Sequence, residues 1–121
     1  MEKIQTITPV LRILDVAKAK EFYVDWLGFT VDWEHRFGEN FPLYFQVSKD
    51  GIIIHLTEHY GDCIPGARIR IQMDSVADFH KQLKEYRYLK PGINTTEWGT
   101  LEVCLIDPFG NHLVFTETIK E

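Results

Sequence analysis

A repeated order of elements constrains this chain more than any other feature. Asp15-Val16 and Ser75-Val76 stand 60 positions apart, and each opens a helical stretch followed by strands in the same sequence. Asp and Ser are good helix N-caps, because their side-chain oxygens accept from the orphan amides of the first turn. After Asp15, apolar residues at Val16, Ala19, Phe22, Tyr23 and Trp26 keep to one helical face, and Leu27-Gly28 ends the run. After Ser75, the stripe Val76, Phe79, Leu83 and Tyr86 predicts a second helix to about Tyr86, with Lys90-Pro91-Gly92 ending that unit.

Strands surround both helices. Ile4–Leu14 alternates loosely around Pro9, and proline lacks a ladder donor, so this strand belongs at an edge or in exchange with a partner. Phe29–Trp33, Phe41–Val47 and Ile52–Thr57 complete the first set, with Lys49-Asp50-Gly51 as a hairpin turn. Ala67–Met73 opens the second set, with Ile69, Ile71 and Met73 on one face and Arg68, Arg70 and Gln72 on the other. Ile93–Thr96 follows. Two apolar runs within Trp98–Thr118 then flank the turn sequence Asp107-Pro108-Phe109-Gly110-Asn111 and close the chain.

At 121 residues the chain holds one domain with a real core and is too short for two. The repeats must therefore share that domain, as module one over about 1–58, a connector over about 59–66 and module two over about 67–121. Either module alone buries too little. The expected fold is α+β: two βαβββ modules whose incurved mixed sheets surround a cleft, with the helices outside.

Charge and cysteine usage narrow the function. A net charge of −5, with no basic patch, argues against nucleic acid as a partner. No apolar run reaches membrane-spanning length and MEKIQTIT lacks a signal-peptide core, so a membrane role is not expected and the expected compartment is cytoplasmic. Cys63 and Cys104 form no CxxC pair and are read as free thiols.

Several side chains are candidates for a site. His55 is the one polar side chain in Ile52-Ile53-Ile54-His55-Leu56, either a hydrogen-bonding pocket residue or, with Glu102 and His112, a metal ligand. Arg68 and Arg70 would hold an anion if their face lines a cavity, and are ordinary surface charges if it faces solvent. Phe37, Phe41, Tyr44 and Trp98 can stack on a flat ligand. At least one of Phe41 and Tyr44 should be core, and Trp98-Gly99 suits a strand entry packed on the core as well as a pocket. No Ser-His-Asp order, phosphate-binding glycine loop or paired-carboxylate spacing is present.

The residues Pro9-Val10-Leu11, Asp15-Val16, Phe22-Tyr23 and Leu27-Gly28-Phe29, followed by Trp98-Gly99, Glu102 and Asp107-Pro108-Phe109-Gly110-Asn111, resemble a known pattern. It is that of the vicinal-oxygen-chelate superfamily (glyoxalase, bleomycin resistance protein, dioxygenase), and is most similar to the bleomycin-resistance branch. The resemblance covers nearly the whole chain. It implies a homodimer, ligand clefts lined by both subunits, and a domain swap of the N-terminal segment around Pro9.

Enzymes of this superfamily hold one divalent metal, such as Zn, Ni or Mn, on strand side chains. Carried over without gaps, the ligand positions fall on Thr8, Arg68 and Val114. Arginine does not lose its proton and valine has no donor atom; Leu113 and Phe115 on either side do not repair this. No metal cofactor and no catalytic residue is expected, the alternative being a displaced ligand set around His55 and Glu102. The resemblance thus implies a small-molecule-binding protein that sequesters a drug-like or aromatic ligand, as in antibiotic resistance by bleomycin binding. A metal-dependent glyoxalase-type lyase or isomerase, and a sensor of an anionic metabolite, are the alternatives. A bleomycin-type ligand is cationic and suits an acidic cleft, which Glu58, Asp62, Glu97 and Glu102 can supply, whereas Arg68 and Arg70 argue against bleomycin itself.

Overall fold

A computed structural model describes residues 2–84 and 91–119. The first module runs β1 (Val10–Arg12), α1 (Val16–Lys20, continuing as a π-helix over Glu21–Trp26), β2 (Thr30–His35), β3 (Tyr44–Lys49) and β4 (Ile52–Thr57). The second runs β5 (Arg68–Gln72), α2 (Val76–Gln82), β6 (Asn94–Thr95), β7 (Thr100–Ile106) and β8 (His112–Thr118). Each module forms its own four-stranded mixed sheet, in the order β1-β4-β3-β2 and β5-β8-β7-β6. The outer pairs β1–β4 and β5–β8 are parallel and the rest antiparallel. This is the α+β, twice-βαβββ architecture that the repeat predicts.

Alternation sets the faces. Leu11, Phe45, Val47, Ile54 and Leu56 of the first sheet are buried, as are Ile71, Val103, Leu105, Leu113 and Phe115 of the second. The helix stripe Ala19, Phe22 and Tyr23 packs into the same cluster. Asp15 caps α1 by accepting from the Lys18 amide at 2.9 Å. The helix widens where the Leu27 amide reaches back to the Phe22 carbonyl, and Gly28 ends it with φ +83°, a left-handed backbone that suits glycine.

The Asp107–Asn111 turn is a polar staple between the modules. Asp107 accepts from the Phe109 and Asn111 amides, from the Asn111 side chain, and from the buried Tyr23 hydroxyl at 2.7 Å. Asn111, fully buried, accepts from the Gly66 and Ala67 amides and donates to the Arg12 carbonyl at 2.8 Å. One turn thereby ties α1, β1, the connector and β8 together. Burial first, and then Asp107, push the Tyr23 phenol well above its ordinary value.

Three expectations change. The predicted first strand is cut to Val10–Arg12; residues 2–9 form no strand, and Ile4 and Ile7 are exposed. Pro9 marks the departure: its carbonyl still accepts from the His55 amide, but nothing upstream pairs with β4. Phe41 precedes β3 rather than opening it. Ser75 does occupy the N-cap of α2, but with φ +59° and no capping bond; Glu117 accepts from the Val76 amide instead. The predicted end of that helix at Tyr86 and the Lys90 stop lie outside the described residues.

Candidate functional site

Each sheet turns one face to the core and leaves the other open. On the first sheet, register places Val10, His55, Gln46 and Trp33 side by side on one rung, with Arg12, Thr57, Tyr44 and His35 two residues along, on the next rung of the same face. Successive side chains on a strand alternate faces, so Asp32 and Trp33 should point apart. They do not, because the β2–β3 register slips between Val31 and Trp33. Such a bulge adds one residue to a strand and re-aims its side chains. Trp33 then stands opposite Gln46, while Asp32 accepts from Gln46 Nε2 and from the Ser48 hydroxyl, each at 3.0 Å.

These bonds fix a chain of donors. Gln46 gives its amide nitrogen to Asp32, so its Oε1 faces His55 Nε2 at 2.9 Å. That nitrogen must donate, which leaves the lone pair on Nδ1 to accept from the Tyr44 hydroxyl at 2.7 Å. The rings pack accordingly. Trp33 and Tyr44 lie nearly parallel, 6.0 Å apart at 10°, and both meet His55 edge-on at 5.2 Å. Burial lowers the His55 imidazole below its ordinary value, which favours the neutral ring that this bonding requires. Burial raises the Tyr44 phenol, aided by Asp62 and Cys63 nearby.

The other face of the second sheet is largely polar, with Glu102, Thr116 and the apolar Val114 buried in it. Glu102 on β7 accepts from Arg70, from the Thr100 hydroxyl at 2.9 Å and from the Thr116 hydroxyl at 3.1 Å. The Arg70 hydrogen bond is the first cause that lowers the Glu102 carboxyl. Arg68 stands in register with His112 and donates to its Nδ1 at 3.3 Å, and the Cys104 thiol lies 3.9 Å from the same atom.

The sequence candidates therefore separate. His55 stands in the aromatic cluster of the first sheet, whereas Arg68, Arg70 and Glu102 stand on the second. Phe37 and Phe41 sit in the loop between β2 and β3, both exposed, with Phe37 edge-on to His35 at 4.6 Å. Neither Phe41 nor Tyr44 is core, contrary to expectation; Leu43 and Phe45 take those places. Trp98 rides the turn between β6 and β7, 67% exposed, ahead of Gly99 with φ +93°. It packs on no core. Trp33, Gln46 and Asp32 are site residues that sequence reasoning missed, since alternation read along β2 gives no sign of the bulge.

A metal fits poorly. Among the described residues no three His, Cys, Asp or Glu side chains gather for one. Both His55 nitrogens are engaged by Tyr44 and Gln46, and Glu102, on the other sheet, is held by Arg70. Val114 has no donor atom and Arg68 offers only protons.

The sequence matches, over residues 2–121, the family described as glyoxalase superfamily protein. The chain belongs to the glyoxalase superfamily. Its bleomycin-resistance branch is the part that the structural neighbours support. A bleomycin-binding protein from Streptomyces verticillus, solved with copper(II)-bleomycin, superposes with a TM-score of 0.70 at 25% identity, covering 100% of both chains. An antibiotic-binding protein from Streptomyces sp. CB03234 gives 0.75 at 24% identity, covering 98% of each chain. A glyoxalase-related enzyme from Clostridium phytofermentans also gives 0.75, at 22% identity and 98% coverage of each. Among curated proteins none matches the sequence.

Proposed function

We propose that this glyoxalase-superfamily protein binds and sequesters a planar, drug-like small molecule without converting it. The observation that carries the reading is the Trp33–Tyr44–His55 cluster, held in one orientation by Asp32 and Gln46 on an open sheet face. Aromatic faces presented rigidly give contact area at little entropic cost. The likeness to bleomycin-binding and antibiotic-binding proteins supports the same reading. This reading places no metal on His55 or Glu102, whose donor atoms are engaged by Tyr44, Gln46 and Arg70.

The working form is a homodimer whose two subunits line the ligand cleft. The N-terminal segment supports this. It leaves the sheet at Pro9 with Ile4 and Ile7 exposed, and its residues Thr6, Ile7, Thr8 and Pro9 form one wall of an open cavity of about 730 Å³ whose other walls include Ile52, Ile53, Ile69 and Ile71. Exposed strand edges and apolar side chains of this kind invite exchange with a second copy. The anionic-metabolite reading is weaker, because Glu102 already neutralises Arg70.

Isothermal titration with a bleomycin-type glycopeptide tests the reading. The wild-type chain should bind, and Trp33→Ala should weaken binding by about tenfold, roughly the contribution of one aromatic contact. Equal affinity in both proteins would overturn it.

A further inference from the structure

The hydrogen bonds of the aromatic cluster run in one direction. The Asp32 carboxylate has no proton to give, so Gln46 donates to it, His55 Nε2 donates to Gln46, and the Tyr44 hydroxyl donates to His55 Nδ1. A phenol has a single proton. That of Tyr44 is spent on His55, and its oxygen keeps lone pairs that no donor among the described residues reaches. Thr57, its neighbour on the rung, brings none. The Thr57 hydroxyl donates to Asp62 at 2.7 Å and accepts from the His59 amide at 3.0 Å. Two carboxylates, Asp32 and Asp62, thus fix the direction of both hydroxyls, and the Tyr44 oxygen is left as an acceptor beside the parallel Trp33 and Tyr44 rings.

We propose that this polarity selects the ligand: the cluster takes planar molecules that carry an N–H or O–H donor at their edge, and discriminates against analogues that only accept. The inference rests on the sequestration reading above and names the ligand class of that site. Asp32 is the positioning residue, acting on the ligand through Gln46 and His55. With asparagine in its place the chain can run backwards. The asparagine amide donates to Gln46, Gln46 donates to His55 Nε2, and Nδ1 then donates to Tyr44, which turns the phenol proton outward.

A bound ring with no donor leaves the Tyr44 oxygen desolvated and unpaired. That should weaken binding about tenfold, near the low end of such costs because the face is open to water. A site built to pair a donor rejects the analogue lacking it for this same reason.

The test compares indole, N-methylindole and 3-methylindole as probes at about pH 8, where the imidazole is neutral. Proton–nitrogen NMR reads binding from shift changes and the His55 tautomer from its ring nitrogens. The wild-type protein should hold the Nε2–H tautomer. It should bind 3-methylindole at least as tightly as indole and N-methylindole about tenfold more weakly than either. The two methylindoles add the same bulk, so their difference isolates the donor. Asp32→Asn should populate the Nδ1–H tautomer and shrink the gap to about twofold. Gln46→Met, which cuts the chain at the next link, should shrink it likewise if the first variant does not fold. A wild-type His55 protonated at Nδ1, equal binding of the two methylindoles, no binding of any probe, or a gap unmoved in a folded variant would overturn the proposal. The tautomer is read without ligand, and the glycopeptide titration without these probes. Donor selection can therefore fail while sequestration stands, and failed sequestration shows as a flat titration with the tautomer unchanged.

Discussion

Replacing Asn111 with alanine should cost about 5 kcal/mol of folding stability. The side chain is fully buried and makes four hydrogen bonds, two accepted from Gly66 and Ala67 and two donated to the Arg12 carbonyl and the Asp107 carboxylate. The three neutral bonds contribute roughly 1 kcal/mol each, and the bond to the carboxylate about 2 kcal/mol. Alanine leaves the Gly66 and Ala67 amides and the Arg12 carbonyl without these partners and takes one donor from the buried Asp107. Domains of this size are stable by roughly 5–15 kcal/mol, so the loss takes a large part of the total. Tyr23→Phe, which removes one donor from Asp107, should cost about 2 kcal/mol by the same reasoning. Urea unfolding followed by circular dichroism reads both, with the slope m unchanged. An Asn111→Ala loss below about 1 kcal/mol would refute the idea that this turn couples the modules.

Other consequences follow from the two open faces. Because burial lowers the His55 pKa, the folded state binds fewer protons there than the unfolded chain. Its contribution to stability is therefore present above about pH 6.5 and declines as pH falls toward the folded pKa. Trp33 fluorescence, with the ring 5.2 Å from His55, should titrate below pH 6.5, and His55→Gln should abolish that transition. Glu102→Gln should leave the guanidinium of Arg70 uncompensated and shift ligand preference toward anions, measured by comparing binding of anionic and cationic dyes. Deleting residues 2–9 should convert the proposed dimer to a monomer in analytical ultracentrifugation; an unchanged mass would remove the N-terminal segment from the interface.

Local pattern carried much of the fold. Helix caps, the Arg68–Gln72 alternation and the Asp107–Asn111 turn are short-range signals, and the repeat follows from them. The ends of elements were less legible. Pro9 told that the first strand is irregular, but only the missing partner beyond His55 shows why it stops at Val10. The site was half visible. His55 stands out as a lone polar residue in an apolar strand, whereas its neighbours arrive through register. Trp33 reaches it by a bulge, which depends on the pairing partner and leaves no periodic trace. Arg68 and Arg70 looked alike in sequence, yet a diagonal neighbour, Glu102, neutralises one and His112 engages the other. The Asp107–Asn111 turn was legible as a turn, but not as the tie between the modules, because the groups it satisfies, such as the Arg12 carbonyl and the Tyr23 hydroxyl, are far away in the chain.

The most direct test of ligand sequestration is a tryptophan-fluorescence titration of metal-stripped protein with copper(II)-bleomycin. A saturable change at about one ligand per chain, with a Kd near or below about 1 μM (about −8 kcal/mol), is the predicted result. A flat response from folded protein, or binding that appears only after a divalent metal is restored to the protein, would contradict it.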